Sequence, residues 1–480
     1  MKTTKKKTLT LLLAVAMILS SFSAVAFAAE VGETPSGSVA IGSFNGGTVT
    51  INASNADDSF ALYKVVGITY NETSNSVKYA FTSGVEAYLA TLPEADRVSV
   101  ETYQSWADDS TDLKAFLAGY AEYVKKHSVA SNYDATATGG TATVNNVALG
   151  QYMVLGTGSA TGAYIYQIMT ATFKPDKDLK VNNAVTLGSK STLPTLEKAA
   201  NKDSVSKGDE IEYTLTIGVP TYPVGAKNKS FVVKDVLPGG FDYVTDSQSV
   251  TDSQNVAVAD GAVTFVADGK NLTWTFDFDK ISAQQTVIIK YKVTATDPVI
   301  TDGNENTAIL TYSKSPFGTD VKYDINASKT VYSYELDITK VDSADENIKL
   351  AGVVFEVYNS SGDKVATVTT DQDGKATVSG LALGTYRLKE TKAATGYADP
   401  INFNLTVTLS DEDHDGMLDG KDNTEDTDGV LSVTITNTKG VFNIPTTGDS
   451  GTLFFTFAAM ELMALAVAMM LVMRRKQARR

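Results

Sequence analysis

Leu336-Asp337-Ile338-Thr339-Lys340 alternates apolar and polar residues until its last position, where a lysine stands in phase with the leucine and the isoleucine. A period of two marks a strand with one buried face, because successive side chains on a strand point to opposite sides. Lys340 therefore belongs to the buried face. Two other strand-like runs carry the same anomaly: Asn437 is in phase with Val433 and Ile435, and Glu390 with Tyr386 and Leu388. A lone Lys, Glu or Asn in an apolar core is expensive. Three that converge define a reaction. Desolvation favours a neutral amine and a protonated carboxyl. The carboxyl can polarise the Asn amide and pass a proton to departing ammonia. An intramolecular isopeptide bond from Lys340 to Asn437, with Glu390 as its catalyst and no cofactor required, is the expected product.

The residues around this run resemble the Cna-B domain family. Thr339-Lys340-Val341-Asp342, Leu350-Ala351-Gly352-Val353-Val354-Phe355, Thr370-Asp371-Gln372-Asp373-Gly374, Leu388-Lys389-Glu390-Thr391 and Ile435-Thr436-Asn437 carry the likeness. It implies an Ig-like β-sandwich over residues 334–443. Upstream, 195–332 reads as a second all-β sandwich, with Val-, Ile-, Thr- and Tyr-rich runs at 210–219, 230–236, 262–267, 272–278, 286–295 and 307–312. There Leu196 and Lys198 share a face, as do Phe231, Val233 and Asp235, and Asn306, Ala308 and Leu310. The expected bond joins Lys198 to Asn306, with Asp235 as the acid. Val233-Lys234-Asp235-Val236-Leu237-Pro238 and Asn306-Thr307-Ala308-Ile309-Leu310-Thr311-Tyr312-Ser313 resemble the isopeptide-forming domain of sortase-assembled fimbrial subunits.

The first domain, 29–178, mixes strands at 47–54 and 59–70 with a helix over 111–127, where Leu113, Phe116, Leu117, Tyr120, Tyr123 and Val124 recur at helical spacing. A sandwich with helical insertions is expected. Its Leu149-Gly150-Gln151-Tyr152-Met153-Val154 echoes Leu383-Gly384-Thr385-Tyr386-Arg387-Leu388, which sets Gly156 where Glu390 stands. Without the acid, no bond is expected there. The fold class is thus mainly β: tandem Ig-like, Cna-type sandwiches. Residues 179–194, rich in Lys, Asn, Ser and Thr, read as a connector. In it Lys190 is out of phase with Val185 and Leu187 and should face solvent.

The two ends address the chain. Lys2, Lys5, Lys6 and Lys7 precede an apolar run over 9–19 and small-residue sites up to Ala28, a secretory signal peptide over 1–28. At the other end, 444–480, Ile444-Pro445-Thr446-Thr447-Gly448 stands before an apolar run at 451–473 and the basic tail Arg474-Arg475-Lys476-Gln477-Ala478-Arg479-Arg480. The run is long enough to cross a bilayer as a helix, and the basic tail would stay inside. Glu461 is costly in a permanent span and easier in a transient one. The pentapeptide resembles the sorting signal of Gram-positive surface proteins. That implies cleavage by a sortase between Thr447 and Gly448, and transfer of Thr447 to an amine. Resemblance to shaft pilins implies that the amine is a lysine of the next subunit. Lys190 is the first choice and Lys174, in Phe173-Lys174-Pro175, the rival; Gly188-Ser189-Lys190-Ser191 stands in place of the usual Tyr-Pro-Lys-Asn.

Composition narrows the rest. Between the two ends, residues 29–448 hold 32 basic and 54 acidic side chains, a net charge of −22 that argues against nucleic acid or anionic membrane as partners. The chain has no cysteine and two histidines, which leaves little for thiol or Ser-His chemistry. Asp411, Asp413, Asp415, Asp419 and Asp422 space out like a calcium loop with an Asp at the position of the usual Glu, and read equally as a solvated acidic insertion. The expectation is a non-enzymatic structural subunit of a covalent surface pilus, secreted, joined to identical subunits and finally to peptidoglycan, with a host or neighbouring-cell ligand left unspecified. The alternatives are a monomeric wall-anchored adhesin and a surface hydrolase.

Overall fold

The computed structural model describes residues 37–157, 162–282, 285–298, 303–398, 403–412, 415–419 and 429–439. It divides into two compact units, the smaller made of described residues 337–377, 386–398, 403–407 and 432–439.

In the first sandwich the strands Ser76–Phe81, Ser59–Asn71, Gly150–Gly156 and Met169–Phe173 lie side by side in that order, with Tyr133–Thr136 also on Ser59–Asn71. The facing sheet orders Ala184–Gly188, Gly47–Asn52 and Thr141–Val147. Three helices, Ser83–Ala90, Val100–Ser105 and Thr111–Lys126, cover the outer face of the larger sheet. The longest starts where the Ser110 hydroxyl accepts the Leu113 N–H, satisfying one of the free amides of its first turn. It ends with Lys125 and Lys126 beside its exposed carbonyls. Its buried stripe of Leu113, Phe116, Leu117, Tyr120 and Val124 packs with Val65, Val85 and Leu155.

Residues 179–194, expected as a connector, are part of this sandwich. Lys180–Asn182 pairs with Ser38–Ala40, Ala184–Gly188 runs parallel to Gly47–Asn52, and Ser191–Thr192 pairs with Ile165–Tyr166. Val181, Val185 and Leu187 are buried, with Val185 opposite Val49 and Leu187 opposite Ile51. The polar composition that suggested a linker belongs to the outer face of these strands.

The middle sandwich faces Thr195–Ala200, Glu210–Gly218, Thr286–Ala295 and Phe241–Tyr243 against Val263–Asp268, Asn271–Phe276, Phe231–Val236, Asn304–Ser313 and Lys322–Val331. Alternate residues of both sheets fill one core around Trp274, Tyr213, Tyr291 and Tyr312. The C-terminal sandwich sets Lys375–Leu381, Tyr334–Asp342 and Val430–Asn437 in one sheet, and Lys364–Thr369, Val354–Tyr358, Gly384–Lys392 and Asn404–Leu409 in the other. Its first and last strands are therefore neighbours. In the middle sandwich Lys198 lies on one sheet and Asn306 on the other.

Candidate functional site

In the smaller unit, Lys340, Glu390 and Asn437 come together as their strand phases require. Lys340 is fully buried, and the Lys340 and Glu390 side chains have no exposed surface. Lys340 Nζ lies 2.9 Å from Glu390 Oε2 and 2.6 Å from Asn437 Oδ1, and Asn437 Nδ2 donates to Glu390 Oε1 over 2.7 Å. Phe355 and Phe403 rings flank the amine. Burial lowers the Lys340 pKa, against the opposing pull of Glu390.

Local sequence fixes both backbones at this centre. The Asp371 carboxylate accepts the N–H groups of Asp373 and Lys375, folding the turn whose Gly374 carbonyl takes the Lys340 N–H at 2.7 Å. Gly374 has φ +70°, and a Cβ there would stand 2.5 Å from the Lys340 carbonyl oxygen, so glycine is required. Two residues past Lys340, Asp342 accepts the Tyr397 hydroxyl at 2.6 Å and pairs with Lys439 at 3.5 Å, just beyond Asn437. The Tyr397 hydrogen bond, helped by the Ala344 N–H, holds the Asp342 carboxyl at about 2.

The middle sandwich assembles Lys198, Asp235 and Asn306 in a different manner. The Lys198 and Asp235 side chains have no exposed surface and form a hydrogen-bonded ion pair. Asp235 and Asn306 are fully buried. Between amine and amide stands a residue that sequence reasoning missed: Lys198 Nζ is 3.0 Å from the Tyr291 hydroxyl, and Asn306 Nδ2 donates to the same hydroxyl at 2.9 Å. The Lys198 amine also lies 4.9 Å from the centre of the Tyr213 ring. The available signal was a tyrosine in phase with Val287, Ile289 and Val293, whose buried hydroxyl needs a partner.

Burial brings the Lys198 pKa down to about 8, although Asp235 opposes the shift, and burial raises that of Asp235. Among the described residues no hydrogen bond reaches Asn306 Oδ1 or Asp235 Oδ1. Attack on the Asn306 carboxamide would place the developing negative charge on Asn306 Oδ1. A variant with a free amine exposes the linkage. In Asn306→Ala, stability is expected to rise with pH between about 8 and the ordinary lysine value of 10.5. Over that window the unfolded chain still holds a proton that the folded chain has released, a slope of at most about 1.4 kcal/mol per pH unit. Urea midpoints measured across the window check it, and Lys198→Met in the same background should flatten the curve.

Among the described residues, the first sandwich shows no such centre at the matching position. Gly156 sits opposite Phe60 in the sheet, as Glu390 sits opposite Phe355 in its own. A Cβ at Gly156 would come 2.4 Å from the Tyr166 ring, so packing excludes any side chain. Tyr166 instead bonds the buried Asp58.

Of the two candidate acceptor lysines, Lys190 differs from expectation. It follows the strand Ala184–Gly188 and is half-buried, with its pKa lowered by burial and by neighbouring Lys114, where exposure to solvent was expected. The backbone pairing of Ser191–Thr192 with Ile165–Tyr166 draws it in. Lys174 is exposed, at a cleft shared with Asp108 and Asp176.

In the acidic loop, Asp411 is buried and accepts the Tyr334 hydroxyl at 2.6 Å and the N–H groups of Asp415 and Gly416. Asp419 accepts the Glu412 N–H, and the Asp415 carboxylate caps Met417. No group of metal-binding side chains occurs among the described residues. Asp413 and Asp422 lie outside them, as do the signal peptide, Ile444-Pro445-Thr446-Thr447-Gly448 and the apolar run at 451–473. No helix among the described residues is long and apolar enough to cross a membrane.

Residues 334–424 match the SpaA family model, described as a prealbumin-like fold domain, and residues 436–478 match the LPXTG cell wall anchor motif. Together with the sandwiches, these matches define a cell-wall-anchored surface protein that resembles the backbone pilins of Gram-positive bacteria. In sequence, the chain is 30% identical over 304 residues to the trypsin-resistant surface T6 protein of Streptococcus pyogenes serotype M6, covering 54% of this chain and 56% of that protein. It thus spans little more than half the length of that relative. In fold it is similar to the T6 backbone pilin of serotype M6 Streptococcus pyogenes (TM-score 0.62, 20% identity, 82% of this chain and 98% of that one). The full-length major pilin SpaD of Corynebacterium diphtheriae is similar too (TM-score 0.53, 19% identity, 82% and 98%).

Proposed function

We propose that this chain is the shaft subunit of a covalent surface pilus. In this reading a sortase polymerises it through Thr447 onto a lysine of the next subunit, and two self-formed bonds, Lys198 to Asn306 and Lys340 to Asn437, brace it. The observation that supports this best is the convergence of buried lysine, carboxyl and asparagine between the first strand and a late strand of two successive sandwiches, upstream of a sorting signal. A buried amine that must be either paired or reacted is poor value for stability alone. As a reactant it closes about 100 residues and stabilises by roughly 4–5 kcal/mol, by analogy with a disulfide of that span. Tension between the two ends of such a sandwich would run through the bond and spare the sheets.

Intact mass tests the chemistry. The purified chain is expected to be lighter than its sequence by two ammonia molecules, with crosslinked peptides joining 198 to 306 and 340 to 437. Full weight would overturn both bonds. The name of the Streptococcus relative attributes trypsin resistance to that protein. The same property here would follow from the bonds and should be lost in variants without them. The half-buried setting of Lys190 favours a second reading, a monomeric wall-anchored adhesin with the same braced sandwiches.

A further inference from the structure

The two centres solve one proton problem with different groups. When a lysine nitrogen attacks an asparagine carboxamide, the new bond leaves the lysine nitrogen with a proton too many, and the departing nitrogen needs one to leave as ammonia. A single group touching both nitrogens can make that exchange. At the C-terminal centre the group is Glu390, with one oxygen 2.9 Å from Lys340 Nζ and the other accepting from Asn437 Nδ2 at 2.7 Å. At the middle centre the acid is an aspartate, one methylene shorter. Its Oδ2 meets Lys198, and the hydrogen bond of the leaving nitrogen goes elsewhere. The atom that touches both nitrogens there is the Tyr291 hydroxyl, 3.0 Å from Lys198 Nζ and 2.9 Å from Asn306 Nδ2. The rings against the Lys340 amine are the phenylalanines Phe355 and Phe403, which carry no such hydroxyl.

We propose that Tyr291 is a catalytic residue of the middle centre, its hydroxyl carrying the proton from the attacking nitrogen of Lys198 to the departing nitrogen of Asn306. The inference rests on the isopeptide reading of that centre. Lys198 first passes its ammonium proton to Asp235, its ion-pair partner, and the neutral Nζ then adds to Asn306 Cγ while charge gathers on Oδ1. Tyr291 Oη takes one proton from Nζ as its own proton passes to Nδ2. The Cγ–Nδ2 bond breaks and ammonia leaves, with Tyr291 back in its starting form and Asp235 keeping the proton that Lys198 gave up. Tyr291 is well placed to shuttle without ionising, because it is fully buried, its ring centre 5.6 Å from those of both Tyr213 and Trp274.

The test is Tyr291→Phe in the full chain, made by cell-free synthesis and followed by mass of the intact chain and of its crosslinked peptides. The expected result is a 198-to-306 bond that forms about 10²-fold more slowly or not at all, the usual scale for losing a general acid–base group. The 340-to-437 bond should form as in the wild type, as the internal control. The melting transition should match that of Asn306→Ala, which is folded but unlinked. Formation of the 198-to-306 bond at the wild-type rate would overturn the role of Tyr291. A wild-type chain lacking that bond would overturn the underlying reading instead, so the two failures are distinct. Should Tyr291→Phe not fold, a fluorinated tyrosine at 291 keeps ring and hydroxyl while making the hydroxyl more acidic. A changed rate of bond formation supports the shuttle, and an unchanged one overturns it.

Discussion

Glu390→Ala and Asp235→Ala, made singly, are expected to leave the chain one ammonia heavier than the wild type and to lower the melting transition of the affected sandwich by on the order of 20 °C. The bond itself supplies roughly 4–5 kcal/mol by loop closure. For a domain of this size, each kcal/mol moves the transition by about 4 °C or more. The acid variants lose more than the bond, because each also strands a lysine with no exposed side-chain surface whose carboxylate partner has gone. Asn437→Ala and Asn306→Ala keep the lysine–carboxylate pair and report the bond alone. The order of stability should therefore be wild type, then asparagine variant, then acid variant, in each sandwich. Calorimetry combined with intact mass checks it, and an acid variant that melts with the wild type would contradict the assignment. The two sandwiches should also fail differently. Lys198 and Asn306 lie on opposite sheets, so their bond staples the sandwich through its thickness, whereas Lys340 and Asn437 lie on neighbouring strands of one sheet. Trypsin should enter the unlinked middle sandwich by parting its sheets, and the unlinked C-terminal one by peeling its last strand.

Lys190→Ala is expected to abolish the detergent-resistant ladder of covalent polymers in cells that carry the cognate sortase, whereas Lys174→Ala should leave it intact. The effect is all or none, since a chain without its acceptor amine cannot be extended. The setting of Lys190 gives the reason to favour it despite its partial burial. Its pKa is lowered, which enriches the neutral, nucleophilic form, and it sits between strands whose pairing holds its backbone still, with the Lys190 carbonyl accepting the Gln167 N–H at 2.8 Å. Lys174 is exposed, at a cleft it shares with Asp108 and Asp176. Immunoblots of wall extracts distinguish the outcomes. Loss of the ladder in Lys174→Ala alone would move the joint to that residue, and a single band from the wild type would favour the monomeric adhesin.

The buried lysine of the C-terminal sandwich was legible because a strand has only two faces. Once Leu336 and Ile338 fix the inner one, Lys340 has no other place to be. The same logic reached Asp235 through Phe231 and Val233, and Asn306 through Ala308 and Leu310. It passed over Tyr291, because a tyrosine in phase with Val287, Ile289 and Val293 is what an ordinary core strand contains. Its role depends on where the hydroxyl ends, and that is set by the sheet on the other side of the core. The strand Ala184–Gly188 went unread for a related reason. Its partner Gly47–Asn52 lies more than a hundred residues away and pairs with it in parallel, so no hairpin turn in the sequence announces it.

By itself, then, the sequence determined the periodic face of each strand, the charge of the surface and the sorting signal at the C-terminus, because these depend on local spacing and composition. It placed the lysine, acid and asparagine of each centre on inward faces. Only the tertiary structure decided which sheet each would come from, that one pair spans two sheets while the other joins neighbours, and that a tyrosine hydroxyl stands between amine and amide in the middle sandwich. Those are matters of register between strands distant in the chain, fixed by how the two sheets pack on each other.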